Sequence, residues 1–178
     1  MGKQISAVDI KKLWYTDHTE VNADLTGELL ATIIGKATEI KNVHQDTWSI
    51  EESESSQDSY KNQLTGATYR MGTKTMGEVT FNFTLGRYDY QTKAALMGGT
   101  ATDTSWKRAR GIVNIHKCLI ALTEDDQYCV LPYANVNVRE ANTDGAVGLA
   151  VVGTMMEPEN EAVMPEYWFD STEVDTEA

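Results

Sequence analysis

Apolar and polar residues alternate most regularly between residues 78 and 85. Val79, Phe81, Phe83 and Leu85 occupy every second position, and polar residues fill the positions between them. A period of two that carries aromatic and β-branched residues is typical of a strand with one buried face. The pattern therefore predicts a half-buried strand in this segment.

Similar extended segments occur elsewhere in the chain. We predict further strands in residues 46–54, 111–122, 127–131 and 146–155, with an extended continuation through Val136 and Val138. The first of these segments places Trp48 and Ile50 on one side. Three acidic residues at 124–126 separate two of the segments. Residues 111–131 are therefore expected to form an antiparallel hairpin.

Two segments carry helix signals. Residues 24–34 begin with Asp24 as a candidate N-cap and end before Gly35, although β-branched residues at 32–34 leave a strand as the alternative. Residues 89–97 begin with Asp89 as a candidate N-cap and end before two glycines. The chain is therefore predicted to be mainly β, sandwich-like or barrel-like, with one or two short flanking α-helices.

Residues 53–76 separate two predicted strands and are rich in Ser, Gln, Asn, Gly and Thr. Structureless loops of this length are uncommon in compact domains, and they usually serve a function or are disordered. We therefore predict a long functional loop.

The chain of 178 residues fits one domain. We divide it into a body, residues 1–156, and an acidic extension, residues 157–178. The extension contains eight acidic residues and no Lys or Arg, a composition often found in disordered tails. Its three consecutive aromatic residues, Tyr167, Trp168 and Phe169, favour instead an extension that docks on folded protein.

The formal net charge is −12, from 27 acidic and 15 basic residues, and −4 remains when the eight acids of the extension are set aside. Proteins that grip nucleic-acid phosphates need clustered Lys and Arg, so the charge argues against such a function. No apolar run is long enough to cross a bilayer. The first twelve residues lack the apolar core of a signal peptide, so we expect synthesis in the cytoplasm.

The sequence contains no recognisable catalytic motif. Residues 72–77 contain two glycines and a lysine, but they lack the Lys-Ser/Thr pair of a phosphate-binding loop. The three histidines are scattered along the chain: His18, His44 and His116. We therefore predict a non-enzymatic protein with no cofactor and no metal site.

Cysteines and clustered acids also lack the spacing of metal sites. Cys118 and Cys129 flank the predicted hairpin turn, where they could face each other, but reduced thiols are favoured over a disulfide. Four acids after Trp48 lack the spacing of a calcium loop. These acids predict a solvated face or a pore lining, and they are Glu51, Glu52, Glu54 and Asp58.

The middle of the chain resembles a known family. An acidic strand end, a polar loop, a strand and a short helix follow one another between residues 48 and 97. The strand contains Gly77-Glu78-Val79-Thr80-Phe81, and the helix begins with Asp89-Tyr90-Gln91. This order is similar to that of the tail tube (major tail) proteins of long-tailed bacteriophages, in which a G-x-(L/V)-T-F strand precedes such a helix. Type VI secretion and contractile injection tube proteins are related to that family in fold.

The resemblance implies a β-sandwich subunit that forms hexameric rings, which stack into a conduit for DNA in the virion tail. The implied partners are copies of the same chain and other tail proteins, while DNA passes without specific binding. The loop would then contact the adjacent ring through Ser55, Gln57, Tyr60, Asn62, Leu64 and Tyr69. Candidate lumen-facing residues are Glu52, Glu54, Thr80, Asn82 and Thr84. An acidic, polar wall would repel phosphates.

Other functions remain open at this point. The chain could be a tail terminator, a neck protein, a head-decoration protein or a secretion-system tube subunit. An enzyme with a dispersed site is a further alternative. A carbohydrate-binding or protein-binding β-module would need exposed aromatic residues, for which Tyr15, Trp106 and Tyr133 are candidates.

Overall fold

The computed structural model describes residues 2–175, which are dominated by antiparallel strands. The strands are β1 (Ile10–Asp17), β2 (Thr38–Ile40), β3 (Ser49–Glu52), β4 (Ser56–Lys61), β5 (Thr68–Thr75), β6 (Val79–Leu85), β7 (Thr100–Ala101), β8 (Trp106–Lys107), β9 (Ile115–Thr123), β10 (Gln127–Thr143), β11 (Ala146–Met155) and β12 (Tyr167–Asp170). The helices are α1 (Gly27–Lys36), α2 (Tyr90–Met97) and α3 (Ser171–Val174), and a 3-10 turn covers His18–Glu20. No helix within residues 2–175 is long and apolar enough to span a membrane.

Eight strands form one curled antiparallel sheet. Seven of them follow the order β2-β1-β9-β10-β11-β6-β3, and β12 pairs with the first part of β10. The long strand β10 therefore carries β12 and β11 in succession along one edge, and β9 along the other. The predicted fold class, mainly β with short flanking helices, is confirmed.

The first core lies against the inner face of the curled sheet. Alternate residues of β6, β9, β10 and β11 bury their side chains there, as the period of two requires. Phe81 and Phe83 are fully buried, with perpendicular rings 5.9 Å apart between centroids. Leu96 of α2 packs on the same core. The strand predicted for residues 78–85 is confirmed as β6.

A second core covers part of the outer face of the sheet. It contains Trp14 of β1, Ile120 of β9 and Tyr128 of β10, together with Leu30 of α1 and Val174 of α3. The helices α1 and α3 and the C-terminal segment thus bury the outer face of β1, β9 and the first part of β10. This burial explains why the central strands are apolar on both faces.

The β9–β10 hairpin confirms the predicted turn at residues 124–126, and β11 matches the predicted strand at residues 146–155. Cys118 lies in the second core and Cys129 in the first, so the two side chains point to opposite faces of the sheet. The expectation that they face each other is wrong, because the register pairs Cys129 with Ala121. Both cysteines are free and buried, so the favoured reduced state is confirmed.

The two predicted helices differ in how well the sequence locates them. The helix α2 begins as predicted, with the Asp89 carboxylate accepting a hydrogen bond from the Thr92 N–H at 2.7 Å. The helix α1 begins at Gly27 and is capped by the hydroxyl of Thr26, so the predicted start at Asp24 is wrong. Asp24 instead accepts a hydrogen bond from the hydroxyl of Tyr167 at 2.6 Å.

Several strands also differ from prediction, and the strand predicted for residues 111–122 begins only at Ile115. The strand predicted for residues 46–54 is shortened to β3, because Asp46 adopts a left-handed φ of 58° that interrupts an extended chain. The strand β1 is absent from the prediction. Its residues Leu13 and Tyr15 face the first core while Trp14 faces the second, so burial on both sides removes the period-two signal.

Candidate assembly surfaces

Residues 53–77 form a hairpin arm that continues β3 and β6 beyond the main sheet. Within residues 2–175, β4 and β5 pair only with each other, from Ser56 opposite Thr75 to Lys61 opposite Thr68. The loop predicted for this segment is therefore wrong. Its Thr and Tyr residues have high strand propensity, and this propensity decides the local structure despite the polar composition.

Close backbone contact fixes the base of the hairpin arm. The Ser53 N–H donates to the carbonyl of Glu78 at 3.0 Å, and the Ser53 hydroxyl accepts from the Glu78 N–H at 2.8 Å. A Cβ atom on Gly77 would overlap the carbonyl oxygen of Ser53, so glycine alone allows this approach. The hairpin arm therefore leaves the domain from a closed base.

Internal hydrogen bonds order the hairpin arm up to its tip. The Asn62 side chain accepts from the Leu64 N–H at 2.9 Å, and the Asn62 N–H donates to the carbonyl of Ala67 at 2.8 Å. The Gln57 amide donates to the carbonyl of Gly72 at 2.7 Å. These contacts hold a long, narrow ribbon without help from the body of the domain.

The hairpin arm exposes apolar side chains. All residues from 53 to 77 are exposed except two half-buried glycines. Leu64 at the tip is 94% exposed, Met76 is 76% exposed and Tyr69 is 69% exposed, and Tyr60 and Met71 are also exposed. A lone two-stranded hairpin is only marginally stable in water, so these side chains form a surface suited to contact with another molecule.

Every residue predicted for the inter-ring contact lies on this hairpin arm: Ser55, Gln57, Tyr60, Asn62, Leu64 and Tyr69. All of them are exposed, and whether they touch another ring remains a prediction. Met71 and Met76 lie on the same hairpin arm outside the predicted set. The available signal was their large apolar side chains within an otherwise polar segment.

The outer face of the sheet is open where β3, β6, β11 and the second part of β10 adjoin. Among residues 2–175, no cluster of buried side chains covers this region. The strand register places Asn135, opposite Thr154, on this open face beside ten further residues: Ser49, Glu51, Thr80, Asn82, Thr84, Asn137, Arg139, Ala150, Val152 and Thr154. The open face is thus polar and carries one acid and one base.

The predicted lumen-facing residues divide between two locations. Thr80 and Asn82 lie half-buried on the open face, and Thr84 beside them is buried. Glu52 is exposed but pairs with Val79, whose side chain enters the first core, so Glu52 points to the other side of the sheet. Glu54 lies at the base of the hairpin arm. The structure therefore brings the three β6 residues together and separates the two acids from them.

The acidic extension is part of the folded domain as far as residue 175, and residues 176–178 lie outside the described part. Tyr167 and Phe169 pack against the second core with their rings stacked 5.9 Å apart, while Trp168 lies on the opposite face of the sheet and is 38% exposed. The Tyr167 hydroxyl also accepts from the Met164 N–H at 2.8 Å. Burial, together with the hydrogen bond to Asp24, raises the pKa of Tyr167. Tyr167 and Phe169 thus dock on their own domain, and Trp168 does not pack on the second core.

Ion pairing and close packing fix the end of the extension. The Lys3 ammonium group lies 2.9 Å from Asp170, and this contact, with a hydrogen bond from Thr172, holds the pKa of Asp170 well below its usual range. A Cβ atom on Gly27 would overlap the carbonyl oxygen of Glu173, so α3 lies directly against the first turn of α1. The extension contributes a strand and a helix to the fold.

The histidines have structural surroundings. His116 stacks on Tyr133 with centroids 5.0 Å apart, and the Nδ1 atom of His18 lies 3.3 Å from the carbonyl oxygen of His116. His44 lies 2.8 Å from Asp144 at the β10–β11 turn. In the part of the chain that the structure describes, no group of His, Cys, Asp and Glu is arranged to hold a metal ion.

No protein-family model matches the chain, and no curated protein matches it. The resemblance to tail tube proteins therefore depends on the residues between 48 and 97, and function is inferred from the exposed surfaces.

Proposed function

We propose that this chain is a structural subunit of a bacteriophage or prophage tail tube. Copies assemble as hexameric rings, and the rings stack into a conduit through which DNA passes without specific binding. The partners are other copies of the chain and other tail proteins. The role requires no catalytic residue and no cofactor.

The hairpin arm carries the proposal. Its longer strand, β5, has eight residues, so at about 3.3 Å per residue the hairpin arm projects by roughly 25 Å. A compact chain of this length has a radius of gyration of about 16 Å. The hairpin arm therefore reaches beyond its own domain far enough to lie against the body of an adjacent copy.

The exposed apolar side chains of the hairpin arm suit a contact that is stable only when several copies form it together. Full burial of a large apolar side chain contributes about 1.5–3 kcal/mol, so the five side chains of the hairpin arm contribute about 7–15 kcal/mol at most. Association costs about 4–15 kcal/mol. A single hairpin-arm contact is therefore marginal, whereas several contacts formed together around a ring reinforce one another.

The sheet edges and the open face are compatible with the same assembly. Within residues 2–175, three short strands of the main sheet have an unpaired edge: β2 with three residues, and β3 and β12 with four residues each. Unpaired strand edges are templates for pairing with another chain, and repetition of one such contact closes a ring. In a ring of this kind, the open face is the region of sheet available to line a lumen.

Electron microscopy tests the proposal directly. The purified chain is imaged in negative stain at rising concentration, with its mass measured by light scattering. We expect rings and then stacked tubes with a regular axial repeat. A double variant on the hairpin arm, Tyr69→Ser with Met71→Ser, should retain the circular dichroism of the wild-type chain and form rings that do not stack.

A matched control distinguishes the effect of changing the hairpin arm from the effect of removing any exposed apolar side chain. Val147 is 61% exposed at the β10–β11 turn, and Val147→Ser should stack like wild type. A chain that stays monomeric at every concentration would contradict the proposal. Single rings without stacking would favour a tail terminator, and tubes that require a sheath protein would favour a secretion-system subunit.

A further inference from the structure

A small basic lobe lies beside α2 and is formed by residues 98–113. It contains the short β7–β8 pair and an irregular return to β9. Lys107, Arg108 and Arg110 place three basic residues within four positions of a chain whose net charge is −12. The function proposed above makes no use of this lobe.

The basic lobe is held rigidly against the domain. The Trp106 indole N–H donates to the carbonyl of Gly98 at 2.9 Å, and the Lys93 ammonium lies 4.2 Å from the centroid of the Trp106 ring. Lys93 also lies 2.7 Å from Glu140 of β10, and Arg108 lies 3.7 Å from the same carboxylate. These contacts fix the lobe to the inner side of the sheet.

Ile112 is presented at the end of this fixed lobe. It is 94% exposed. The neighbouring residue Val113 packs closely on Gly98. A Cβ atom added to Gly98 would lie 3.1 Å from a Val113 methyl group. Among residues 2–175, no carboxylate lies within ion-pair distance of Lys107 or Arg110. The lobe therefore offers one aliphatic side chain beside two uncompensated positive charges.

A cleft on the other side of the domain has the complementary character. It has a volume of about 210 Å³, and its lining is half apolar or aromatic (Val21, Pro132, Tyr133, Pro158 and Val163) and half polar (His18, Thr19, Asn22, Glu159 and Asn160). A cavity of about 150 Å³ holds a benzene-sized molecule, so the cleft has room for an isoleucine side chain. The adjoining acids are exposed, and no cation within residues 2–175 lies at ion-pair distance from them: Glu157, Glu159 and Glu161.

The lobe and the cleft belong to opposite faces of the sheet. Glu140, which anchors the lobe, shares its side of β10 with Val136 and Val138 of the first core. Val21 and Val163 at the cleft belong to the second core. Because the sheet separates them, Ile112 cannot enter the cleft of its own chain. The complementary occupant of the cleft is the lobe of a second copy.

We propose that Ile112 of one copy inserts into the cleft of the next, with Lys107 and Arg110 facing the acids at residues 157–161. The contact joins two different surfaces, so its repetition generates a closed ring or an open helix. This inference depends on the proposed self-assembly. It assigns the contact within a ring to residues that are separate from the hairpin arm, which the preceding proposal assigns to contact between rings.

Cross-linking between two singly substituted chains tests the contact. One chain carries Ile112→Cys and the other carries Glu159→Cys, and they are mixed under mild oxidation. The native cysteines have no exposed surface, so they do not compete. We expect a covalent dimer in large excess over the mixture in which Val147→Cys replaces Glu159→Cys. Equal yields in the two mixtures would overturn the inference.

A charge exchange tests the same contact in the assembled protein. Arg110→Glu and Glu159→Arg should each weaken association, and the chain that carries both should recover much of the loss because opposite charges face each other again. Ile112→Asp should weaken association about 10- to 100-fold, as expected for loss of a buried isoleucine. The matched control is Val147→Asp, which should associate like wild type.

The outcomes separate this inference from the proposed function. Wild-type rings with control-level cross-linking and additive charge effects would overturn the lobe contact and leave the tube proposal standing. A monomeric wild-type chain without cross-linking would overturn both. Binding of a labelled DNA duplex that R110E abolishes, without cross-linking above the control, would assign the basic lobe to nucleic acid and overturn the inference.

Discussion

Replacing residues 54–77 by an Asn-Gly turn removes the hairpin arm and links Ser53 to Glu78 through two residues. These two residues already exchange hydrogen bonds at the base of the hairpin arm, and Asn-Gly favours the tight turn that a two-residue hairpin needs. The removed residues are exposed, apart from two half-buried glycines. The body therefore loses almost no buried apolar surface.

Removal of the hairpin arm is expected to leave the free energy of unfolding unchanged or to raise it slightly. Exposed residues outside special features contribute within about 0.5 kcal/mol. Shortening a loop stabilises by about 0.6 kcal/mol for each halving of its length, which amounts to roughly 2 kcal/mol for replacing 24 residues by two. We expect the shortened chain to be as stable as wild type or up to about 2 kcal/mol more stable, and to be unable to stack.

Urea unfolding followed by tryptophan fluorescence measures this change. All four tryptophans lie outside the hairpin arm, so the signal survives its removal. A Leu149→Ala variant, at a fully buried position, should lose about 2–5 kcal/mol and shows that the assay detects core damage. A shortened chain that loses more than about 2 kcal/mol would show that the hairpin arm supports the body. That result would refute the reasoning.

Three further variants or measurements test the contacts within the domain. Lys93→Met removes the ion pair with Glu140 and should cost about 1–2 kcal/mol in urea unfolding, with faster hydrogen exchange in the basic lobe. Asp89→Ala removes the N-cap of α2 and should cost about 1 kcal/mol at pH 7. The Thr92 N–H lowers the pKa of Asp89, so this contribution is complete above pH 4, and the difference from wild type should disappear as pH falls through the lowered pKa. Burial raises the pKa of the Cys118 thiol to about 12, so a thiol reagent at pH 8 should label neither cysteine in the native protein and both in urea.

For each of these three predictions, a contrary result would show which assumption about the contact is wrong. A K93M chain as stable as wild type would mean that the contacts of Lys93 do not hold the lobe on the domain. An Asp89→Ala effect that stays constant as pH falls through the lowered pKa of Asp89 would show that packing, and not the carboxylate, is lost. Rapid thiol labelling of the native protein would show that the hairpin of β9 and β10 opens readily.

The sequence predicts the strands whose faces differ in burial. In β6, buried Phe81 and Phe83 alternate with residues of the open face, and the period of two follows directly. In β1, Leu13, Trp14 and Tyr15 are all buried because both faces are covered. A three-residue apolar run gives no period, so the strand could not be recognised from its local pattern.

The hairpin arm and the cleft show two different reasons why surfaces escape sequence analysis. The polar composition of residues 53–76 predicts a loop, whereas the structure forms a hairpin because the strand propensity of its Thr and Tyr residues decides the local structure. The cleft joins Val21 with Pro132 and Pro158, which are far apart in sequence and meet only through packing of the extension on the second core. No local sequence pattern predicts a contact between residues so far apart in the chain.

The distribution of charge determines how acidic the inner wall of a tube built from this chain would be. The eleven residues of the open face include one acid, Glu51, and one base, Arg139, and the others are uncharged. Much of the net charge of −12 lies instead on the extension. A surface with few cations releases few counterions on contact with phosphates, so it gains little free energy from DNA. If the open face lines the tube, its lack of clustered cations is sufficient for DNA to pass unbound, without an acidic wall that repels it.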